Sequence, residues 1–454
     1  MINFVVENFE EDTNLNSSWP KNHHNSWRFT SSPLMNRCLN ISHCNGPAIT
    51  WFDFWNPDFK ELFNKVEYSK DLKKYIIPVG VNNDPHNWAG GELSEHENYP
   101  SLFEYISENY LNDLISKNAF LLIDSSLEGY HDDWIFDFFH HECDKRGIPP
   151  TQIIFVTGNS IVEECYENWF NLNKERYSEK ILVVGYSHFE FDSYCNSKNL
   201  PDEVNDNKLP PTFDEQVSYK KNNLNKIKLY SSLNKKPRAH RVIWYCLLYL
   251  NDMLDKGLVS MNKFNPPYHS PLFDDVSSET FEKIKHTLPS TIDGVGNEEM
   301  DTNYYVTRFN VDISLNTWLA VISEAQYDDY QNTVFISEKI FKSIAQSQPF
   351  IVLGNKKTLV ELKKLGYKTF GDFFDESYDE LNDEERFNRI LSTLKEIESI
   401  EDKLTWFESM KDILVHNKKV MAENTKNILP LGTQKIIKLV LGNNINEVLK
   451  KYVK

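Results

Sequence analysis

A lysine stands where a helix already carries positive charge. In the stretch FISEKIFKSIAQSQPFIVLG (335–354), Ser337 is a good N-cap, which places Glu338 and Lys339 in the first turn of a predicted helix. Glutamate suits the positive end of a helix dipole, whereas lysine opposes it. Two hypotheses explain Lys339: its side chain points into solvent, or it binds an anion together with the helix N-terminus.

A second basic segment, SLNKKPRAHR (232–241), follows a predicted strand and opens a long apolar helix. Within it are four cations: Lys235, Lys236, Arg238 and Arg241. A diphosphate needs two or three charge-assisted donors plus backbone amides, and ligands of open α/β sheets bind beyond the carboxyl ends of strands. We expect Lys235 and Lys236 to be solvated. Arg241, one turn inside the helix, is expected to converge with Lys339 on one anion.

Two glutamates accompany these cations. Glu338 can accept hydrogen bonds from sugar hydroxyls, or it can simply favour the helix dipole. Glu324 ends the strand-like run WLAVISEA (318–325), so we expect it at the same edge of the sheet. The paired aspartates of YHDDW (130–134) suggest a metal site. Because adjacent residues on a helix face different ways, we predict that no metal is bound.

Other enzyme signatures are missing from the sequence. It has no GxGxxG, no P-loop GxxxxGK[ST], no HExxH and no GxSxG. This disfavours dinucleotide enzymes and P-loop NTPases. The net charge of −18 disfavours non-specific attachment to nucleic acid or to an anionic membrane. Six scattered cysteines without a CxxC pair, an acidic N-terminus and the lack of a long apolar run predict a soluble cytoplasmic protein without a membrane span.

Strand-like and helical runs alternate twice along the 454 residues, which predicts an α/β fold with parallel sheets. The first block has strand-like runs at 75–81, 119–126, 152–159 and 180–189, and helical runs at 101–118, 132–147 and 160–177. The second block starts at 226–234. We therefore predict two Rossmann-like domains facing a cleft, 1–205 and 226–380, joined by a linker at 206–225. Amphipathic helices over 381–454 are expected to pack on both domains.

The motifs of the second block resemble those of α1,3-fucosyltransferases. VFISEKIFKSIAQSQPFIVLG is similar to the Y-x-T-E-K…PVVxG signature of that family, and VISEAQ stands in place of its F-E-N-S. Over about 226–380 the chain looks even more like glycosyltransferase-like proteins of phages and other viruses, which share LN…R.HR and EKIFK…PFIVLG. Ala325 replaces the asparagine of F-E-N-S, and Ser337 replaces the threonine of Y-x-T-E-K. These departures from the family pattern leave the donor sugar and its base open.

The resemblance implies a GT-B glycosyltransferase that transfers a sugar from a nucleotide-diphosphate donor, by default GDP-fucose, to an acceptor hydroxyl. It further implies inversion at the sugar and no metal or other cofactor. The acceptor would be a glycan, a protein or modified DNA. Carried over residue by residue, the donor site would contain Asn234, Arg238, Arg241, Glu324, Ser337, Glu338 and Lys339. Arg241 and Lys339 would hold the diphosphate, and Glu338 the ribose or the sugar.

An inverting transfer needs a general base for the acceptor hydroxyl. The segment LLIDSSLEGYHDD, just past a strand-like run of the first block, offers Asp124, Glu128 and His131. Glu128 is preferred and His131 is the fallback, although Asp124 also suits a turn and Glu128 a solvated loop. Two other functions remain open: glycosylation of hydroxymethylated DNA, and a structural protein that binds a nucleotide or glycan without turnover.

Overall fold

The computed structural model describes residues 2–5, 27–29, 63–81, 101–126, 128–129, 132–197, 209–263, 282–290, 292, 309–327, 333–426 and 431–442. These residues form two compact units. The first unit is drawn from Met1–His188, Tyr330–Phe335 and Glu423–Lys454, and the second from Phe189–Asp329 and Ile336–Ala422. Each unit is therefore assembled from separate stretches of the chain.

The first unit is built on a largely parallel sheet. Its strands are β1 (Ile2–Val5), β2 (Trp27–Phe29), β3 (Phe63–Val66), β4 (Tyr75–Val81), β5 (Ala119–Ser125), β6 (Ile153–Thr157) and β7 (Leu182–Gly185). They lie in the order β3-β1-β4-β5-β6-β7 with parallel neighbours, and β2 pairs antiparallel with β4. β5 and β6 are buried along their whole length, as expected of central strands covered on both faces.

The second unit has a smaller, fully parallel sheet. Its strands are β8 (Lys228–Asn234), β9 (Gly257–Met261), β10 (Thr317–Ser323) and β11 (Phe350–Leu353), in the order β11-β10-β8-β9. β10 and β11 are buried throughout. Parallel strands end at the same edge of their sheet, so the loops that follow β8 and β10 emerge side by side.

Helices connect and cover the strands. Numbered along the chain they are α1 (Glu108–Ile115), α2 (Trp134–Arg146), α3 (Val162–Asn173), α4 (His188–Asn196), α5 (Phe213–Asn222), α6 (Ala239–Leu250), α7 (Val311–Leu315), α8 (Glu338–Ala345), α9 (Thr358–Lys364), α10 (Asp383–Glu398), α11 (Lys403–Ser409), α12 (Lys411–Lys426) and α13 (Leu431–Leu441). Among the described residues, no helix is both long and apolar enough to cross a membrane.

Helix α13, the last within the described residues, belongs to the first unit, where it packs against β1 and β7. Ile436, Ile437 and Val440 of α13 are fully buried or nearly so. Lys435, on its exposed side, pairs with Glu163 at the start of α3. The sheet of the first unit, whose strands lie within residues 2–185, is therefore covered in part by a helix from residues 431–441.

A short segment near Phe335 also packs into the first unit. Asn159 forms an isolated antiparallel bridge with Phe335, and its Oδ1 accepts a hydrogen bond from the Val334 amide at 3.0 Å. The Phe335 ring occupies space that only glycine leaves free, because a Cβ would lie 2.4 Å from Phe335 at Gly129 and 2.5 Å from it at Gly158. Val334 and Phe335 are thus held by hydrogen bonds to Asn159 and by packing against two glycines.

A buried lysine that no sequence pattern singles out holds α5 in the second unit. The Lys220 Nζ donates to the carbonyl oxygens of Ser314, Leu315 and Thr317 at 3.0, 3.0 and 2.7 Å, at and just beyond the C-terminus of α7. Burial lowers the pKa of Lys220 to about 7. Three acceptors call for three N–H donors, which the protonated amine supplies.

The predicted α/β class, with parallel sheets and alternating helices, is confirmed. Two elements differ in detail from the predictions. The strand predicted at 180–189 ends at Gly185, where the chain passes so close to Asn159 that a Cβ would lie 2.9 Å from its carbonyl oxygen, and α4 follows. The helix predicted at 101–118 is divided, because Ser101 caps a 3₁₀ turn before α1 begins after Ser107.

The segments predicted at the domain borders also contain helices. The predicted linker, 206–225, includes α5, whose N-terminus has a capping box between Thr212 and Glu215. Within 381–454, α10 and α11 belong to the second unit and α13 to the first, while α12 runs across the boundary at residue 422.

Candidate anion-binding site

The candidate site lies at the carboxyl edge of the second unit's sheet. Ala320 pairs with Ser231, and continuing this register places Ser323, the end of β10, beside Asn234, the end of β8. The side-chain oxygens of Asn234 and Ser323 are both buried and have no hydrogen-bond partner within the described part of the chain. Buried polar atoms without partners are rare, so this edge has unused hydrogen-bonding capacity.

Glu324, directly after β10, is fully buried at the centre of the site. Its carboxylate accepts hydrogen bonds from the Ala325 and Ser337 amides, each at 3.1 Å, and from the Ser337 hydroxyl. Burial raises the pKa of Glu324, while the charge of Lys339 and the bonds from Ser337 oppose the rise. The carboxylate therefore ties the end of β10 to the start of α8.

Ser337 is the N-cap of α8, as predicted, and its hydroxyl joins Glu324 to Lys339. The Ser337 Oγ accepts from the Lys339 Nζ at 2.9 Å and from the Lys339 amide at 3.4 Å, while its own proton goes to Glu324. The Lys339 Nζ also lies 3.0 Å from Glu338 Oε1 and 3.9 Å from Glu324 Oε2. One hydroxyl thus acts as acceptor to the cation and donor to the buried carboxylate.

The structure gives a third answer to the question that Lys339 raises. The side chain is 28 % exposed and lies between two carboxylates, so the hypothesis that it simply points into solvent is wrong. It compensates the charge of Glu324 at the helix N-terminus. Burial raises the pKa of Glu338, but Lys339 and Lys342 oppose this more strongly and hold it at about 2. Glu338 is therefore ionised, and Lys339 has one exposed side.

Arg241 reaches the same place from α6. Its guanidinium donates to the carbonyl oxygens of Lys236 at 3.2 Å, Ser323 at 3.2 Å and Glu324 at 2.9 Å. Burial and, to a lesser extent, the charge of Arg238 lower the pKa of Arg241 to about 10, against the opposing charges of Glu324 and Glu338. The ends of Arg241 and Lys339 therefore meet at Glu324. The Arg241 guanidinium is buried and bonded to backbone carbonyl oxygens, so it is not an exposed cation.

Of the three cations at this edge, Arg238, Arg241 and Lys339, Arg238 is the most exposed to solvent. It is the N-cap residue of α6, it is exposed, and its guanidinium contacts the Ala325 carbonyl oxygen. Lys236 is exposed as well, as expected of a solvated lysine, and Lys235 is half-buried. Arg238 and Lys339, together with the N-terminus of α8, are consequently the groups that an incoming anion would meet first.

The three candidate bases fall in the first unit. Asp124, the penultimate residue of β5, is buried, and its Oδ1 accepts from the Ser126 amide at 3.0 Å. Burial raises its pKa to about 8 against the opposing hydrogen bonds from Ser126. Glu128 is half-buried, and its carbonyl oxygen accepts from the Gly158 amide at 2.9 Å. His131 lies outside the described residues.

Chemically, the edge between β8 and β10 combines three cations with two carboxylates and a helix N-terminus. Such a set suits an anion that also carries hydroxyl groups, since the carboxylates can accept from the hydroxyls while the cations meet the charge. Within the described part of the chain, no three histidine, cysteine, aspartate or glutamate side chains are grouped to hold a metal ion.

Sequence reasoning missed three residues that frame this site. The rings of His240 and Tyr327 stack with centroids 5.3 Å apart, and His240 bonds to the Glu324 carbonyl oxygen. Arg386 of α10 donates to the carbonyl oxygens of Tyr327 and Gly354. Arg386 is fully buried, and because it lies 62 residues beyond Glu324 along the chain, no local pattern indicates their contact. An arginine inside an amphipathic helix normally indicates a solvated face.

No family model matches the chain, and no curated protein sequence matches it significantly. Solved structures give weak similarities. An α,α-trehalose-phosphate synthase (UDP-forming) from Burkholderia vietnamiensis aligns at 10 % identity with a TM-score of 0.33, over 75 % of this chain and 78 % of that one. An α,α-trehalose 6-phosphate synthase from Burkholderia multivorans aligns at 12 % identity with a TM-score of 0.33, over 75 % and 74 %. Similarity at this level says nothing by itself about the activity of this chain.

Proposed function

We propose that the chain is a glycosyltransferase of the GT-B type that uses a nucleotide-diphosphate sugar. The observation that carries the proposal is the meeting of Arg238, Arg241 and Lys339 with the N-terminus of α8 at the carboxyl ends of β8 and β10. The resemblance to α1,3-fucosyltransferases supports it, since the residues of that resemblance are the ones that converge here. By that resemblance the default donor is GDP-fucose.

In this proposal the diphosphate binds where Arg238 and the open side of Lys339 face solvent. Glu338, ionised beside it, accepts hydrogen bonds from hydroxyls of the ribose or the sugar. Negative charge grows on the diphosphate as it leaves, and fixed cations and helix amides stabilise that charge without reorganising. No metal is needed for this step.

The transfer itself is an inverting displacement. The acceptor oxygen forms a bond to the anomeric carbon, the bond from that carbon to the diphosphate oxygen breaks, and its electron pair leaves with the diphosphate. The acceptor proton goes to a general base, for which Asp124 and Glu128 are the candidates. Because the pKa of Asp124 is raised to about 8, transfer that depends on Asp124 would increase with pH up to that range.

The proposal is tested by ligand binding and by turnover. The wild-type chain is melted with GDP, UDP, ADP and CDP, since the replacement of the motif asparagine by Ala325 leaves the base open. A diphosphate at about 100 times its Kd adds roughly 2.7 kcal/mol to stability. The ligand that binds is then tried as its sugar conjugate for hydrolysis or transfer. Binding without turnover indicates a non-catalytic binding protein, and no binding refutes the proposal.

Two neighbouring cations provide a matched pair of variants. Arg238 and Lys236 are both exposed and lie in the same loop, but only Arg238 has its side chain hydrogen-bonded at the end of β10. Arg238→Ala is expected to weaken diphosphate binding about tenfold, the order of one charge-assisted contact. Lys236→Ala should change it less than threefold. Equal effects of the two substitutions would indicate a diffuse charge effect rather than a site.

A further inference from the structure

Tyr327, three residues beyond Glu324, is held by contacts with the start of α10. Its hydroxyl donates to the Asp383 carbonyl oxygen at 2.6 Å, and its own carbonyl oxygen accepts from Arg386 at 3.3 Å. The Arg386 guanidinium also lies 5.0 Å from the Tyr327 ring centroid, and the Phe387 ring lies 4.8 Å away. The segment after β10 is therefore fixed to α10 by main chain, hydroxyl and ring.

The Tyr327 ring also contacts His240. The two rings are stacked, with centroids 5.3 Å apart and planes 10° apart. The His240 Nε2 donates to the carbonyl oxygen of Glu324 at 3.0 Å. Burial keeps the pKa of His240 well below its usual range, and the charges of Arg241, Arg238 and Lys339 add to this. His240 is thus a neutral imidazole whose single N–H is directed at Glu324.

A second route runs from Arg386 to Glu324 through Gly354. The Arg386 guanidinium donates to the Gly354 carbonyl oxygen at 2.8 Å. Gly354 follows β11 and lies against the Glu324 side chain, since a Cβ there would lie 3.1 Å from both its Cβ and its Cγ. Arg386 therefore secures the backbone at Tyr327, three residues after Glu324, and at Gly354, which lies against the Glu324 side chain. Glu324 in turn holds Ser337 and Lys339.

We propose that His240, Tyr327 and Arg386 are positioning residues for the diphosphate site. They fix Glu324, and through it Ser337 and Lys339, in the geometry that receives the anion. This inference rests on the proposed function, because it assigns the residues that preorganise the same site. Without the stack, the Glu324 carbonyl oxygen would keep its bond from Arg241 but lose the bond from His240. Glu324, and Lys339 with it, would then be held less precisely at the end of β10.

Two tyrosines of the second unit allow a controlled test. Tyr230 and Tyr327 are both buried, and each donates its hydroxyl to a backbone carbonyl oxygen, of Met253 at 3.0 Å and of Asp383 at 2.6 Å. Tyr230 lies in β8, four residues before the strand reaches the candidate site. Phenylalanine at either position removes the same kind of hydrogen bond. A merely structural role predicts the same outcome for both.

The experiment measures the Kd of wild type, Tyr327→Phe, Tyr230→Phe and His240→Phe by calorimetry. The titrant is the nucleoside diphosphate, from GDP, UDP, ADP and CDP, that binds wild type most tightly. Melting curves accompany each titration, which is run well below the melting temperature. We expect Tyr327→Phe to weaken binding about threefold to tenfold and His240→Phe about tenfold, with Tyr230→Phe unchanged. All three should fold, since each keeps an aromatic ring in place.

A further variant separates the N–H of His240 from its ring. His240→Gln keeps an N–H donor for the Glu324 carbonyl oxygen and is expected to restore part of the affinity that His240→Phe loses. Wild-type affinity in Tyr327→Phe and His240→Phe, with melting temperatures lowered as in Tyr230→Phe, would show a structural role only and overturn the inference. If wild type binds no nucleoside diphosphate, the proposed function fails, and the inference falls with it.

Discussion

Replacing Asp124 by asparagine should stabilise the protein above neutral pH. Asp124 is 3 % exposed, and Ser126 donates one backbone hydrogen bond to its Oδ1, while its Oδ2 has no partner among the described residues. Burial raises its pKa to about 8 in the folded chain, against an ordinary value of 3.8. Asparagine has the same shape, keeps an oxygen for Ser126 and cannot ionise.

The sign follows from proton binding. Between about pH 4 and pH 8 the unfolded chain has lost the Asp124 proton while the folded chain retains it, so the free energy of unfolding of wild type falls as pH rises through that window. Each pKa unit corresponds to about 1.4 kcal/mol. At pH 7, roughly three units above the ordinary pKa, burying this carboxyl costs about 4 kcal/mol, which Asp124→Asn would recover.

The assay is urea denaturation of wild type and Asp124→Asn at pH 4.5, 6 and 7.5, with Asp132→Asn, an exposed aspartate of the same unit, as the control. We expect the curves of wild type and Asp124→Asn to coincide at the lowest pH and to separate by several kcal/mol at the highest. Parallel pH curves for these two proteins would refute the reasoning. If Asp124 is also the general base, transfer should fall by about 10²–10⁴-fold while stability increases.

Three further substitutions test the packing around the site and the units. Lys339→Ala removes the cation facing buried Glu324 and should lower the free energy of unfolding by about 1–3 kcal/mol where Glu324 is ionised. Because burial raises the pKa of Glu324, this loss should shrink as the pH falls, and a loss in urea denaturation that stays the same at every pH would contradict this. Gly158→Ala places a Cβ 2.5 Å from the Phe335 ring and should cost about 1–3 kcal/mol, seen as a lower melting temperature. Lys220→Met removes the donor to three carbonyl oxygens, two of them in fully buried bonds, and should cost about 2–4 kcal/mol in chemical denaturation, so an unchanged midpoint would rule out the role given to this lysine.

Local sequence signals were enough to predict the strands from β4 onward and the start of α8, but not β1, β2 and β3. β4 coincides with the predicted run at 75–81, and Ser337 caps α8 as its residue type indicates. These features depend on neighbours within a few residues, where propensity and capping operate. The placement of Glu324 after β10 followed in the same way, because a run of apolar residues marks where a buried strand ends.

The partners of the site residues could not be predicted, because they come from distant parts of the chain. The sequence left two hypotheses for Lys339, a solvated cation or an anion-binding one. It does not show that the Lys339 Nζ lies 3.9 Å from the Glu324 Oε2. Arg241 looked like an open donor, yet the backbone at the end of β10 occupies its guanidinium. The contacts of Arg386 with Tyr327 likewise depend on how α10 packs, and the hydrophobic periodicity of the helix does not determine that packing.

The position of α13 has a consequence for synthesis on the ribosome. Its partners β1 and β7 are complete by residue 185, whereas α13 spans Leu431–Leu441. At roughly 5–20 residues per second, the ribosome needs on the order of 10–50 seconds to make the intervening chain. During that time the first sheet lacks a helix that covers it, while the second unit, which ends at Ala422, is finished earlier. Nascent chains that stall before α13 are therefore expected to expose apolar surface of β1 and β7 to chaperones.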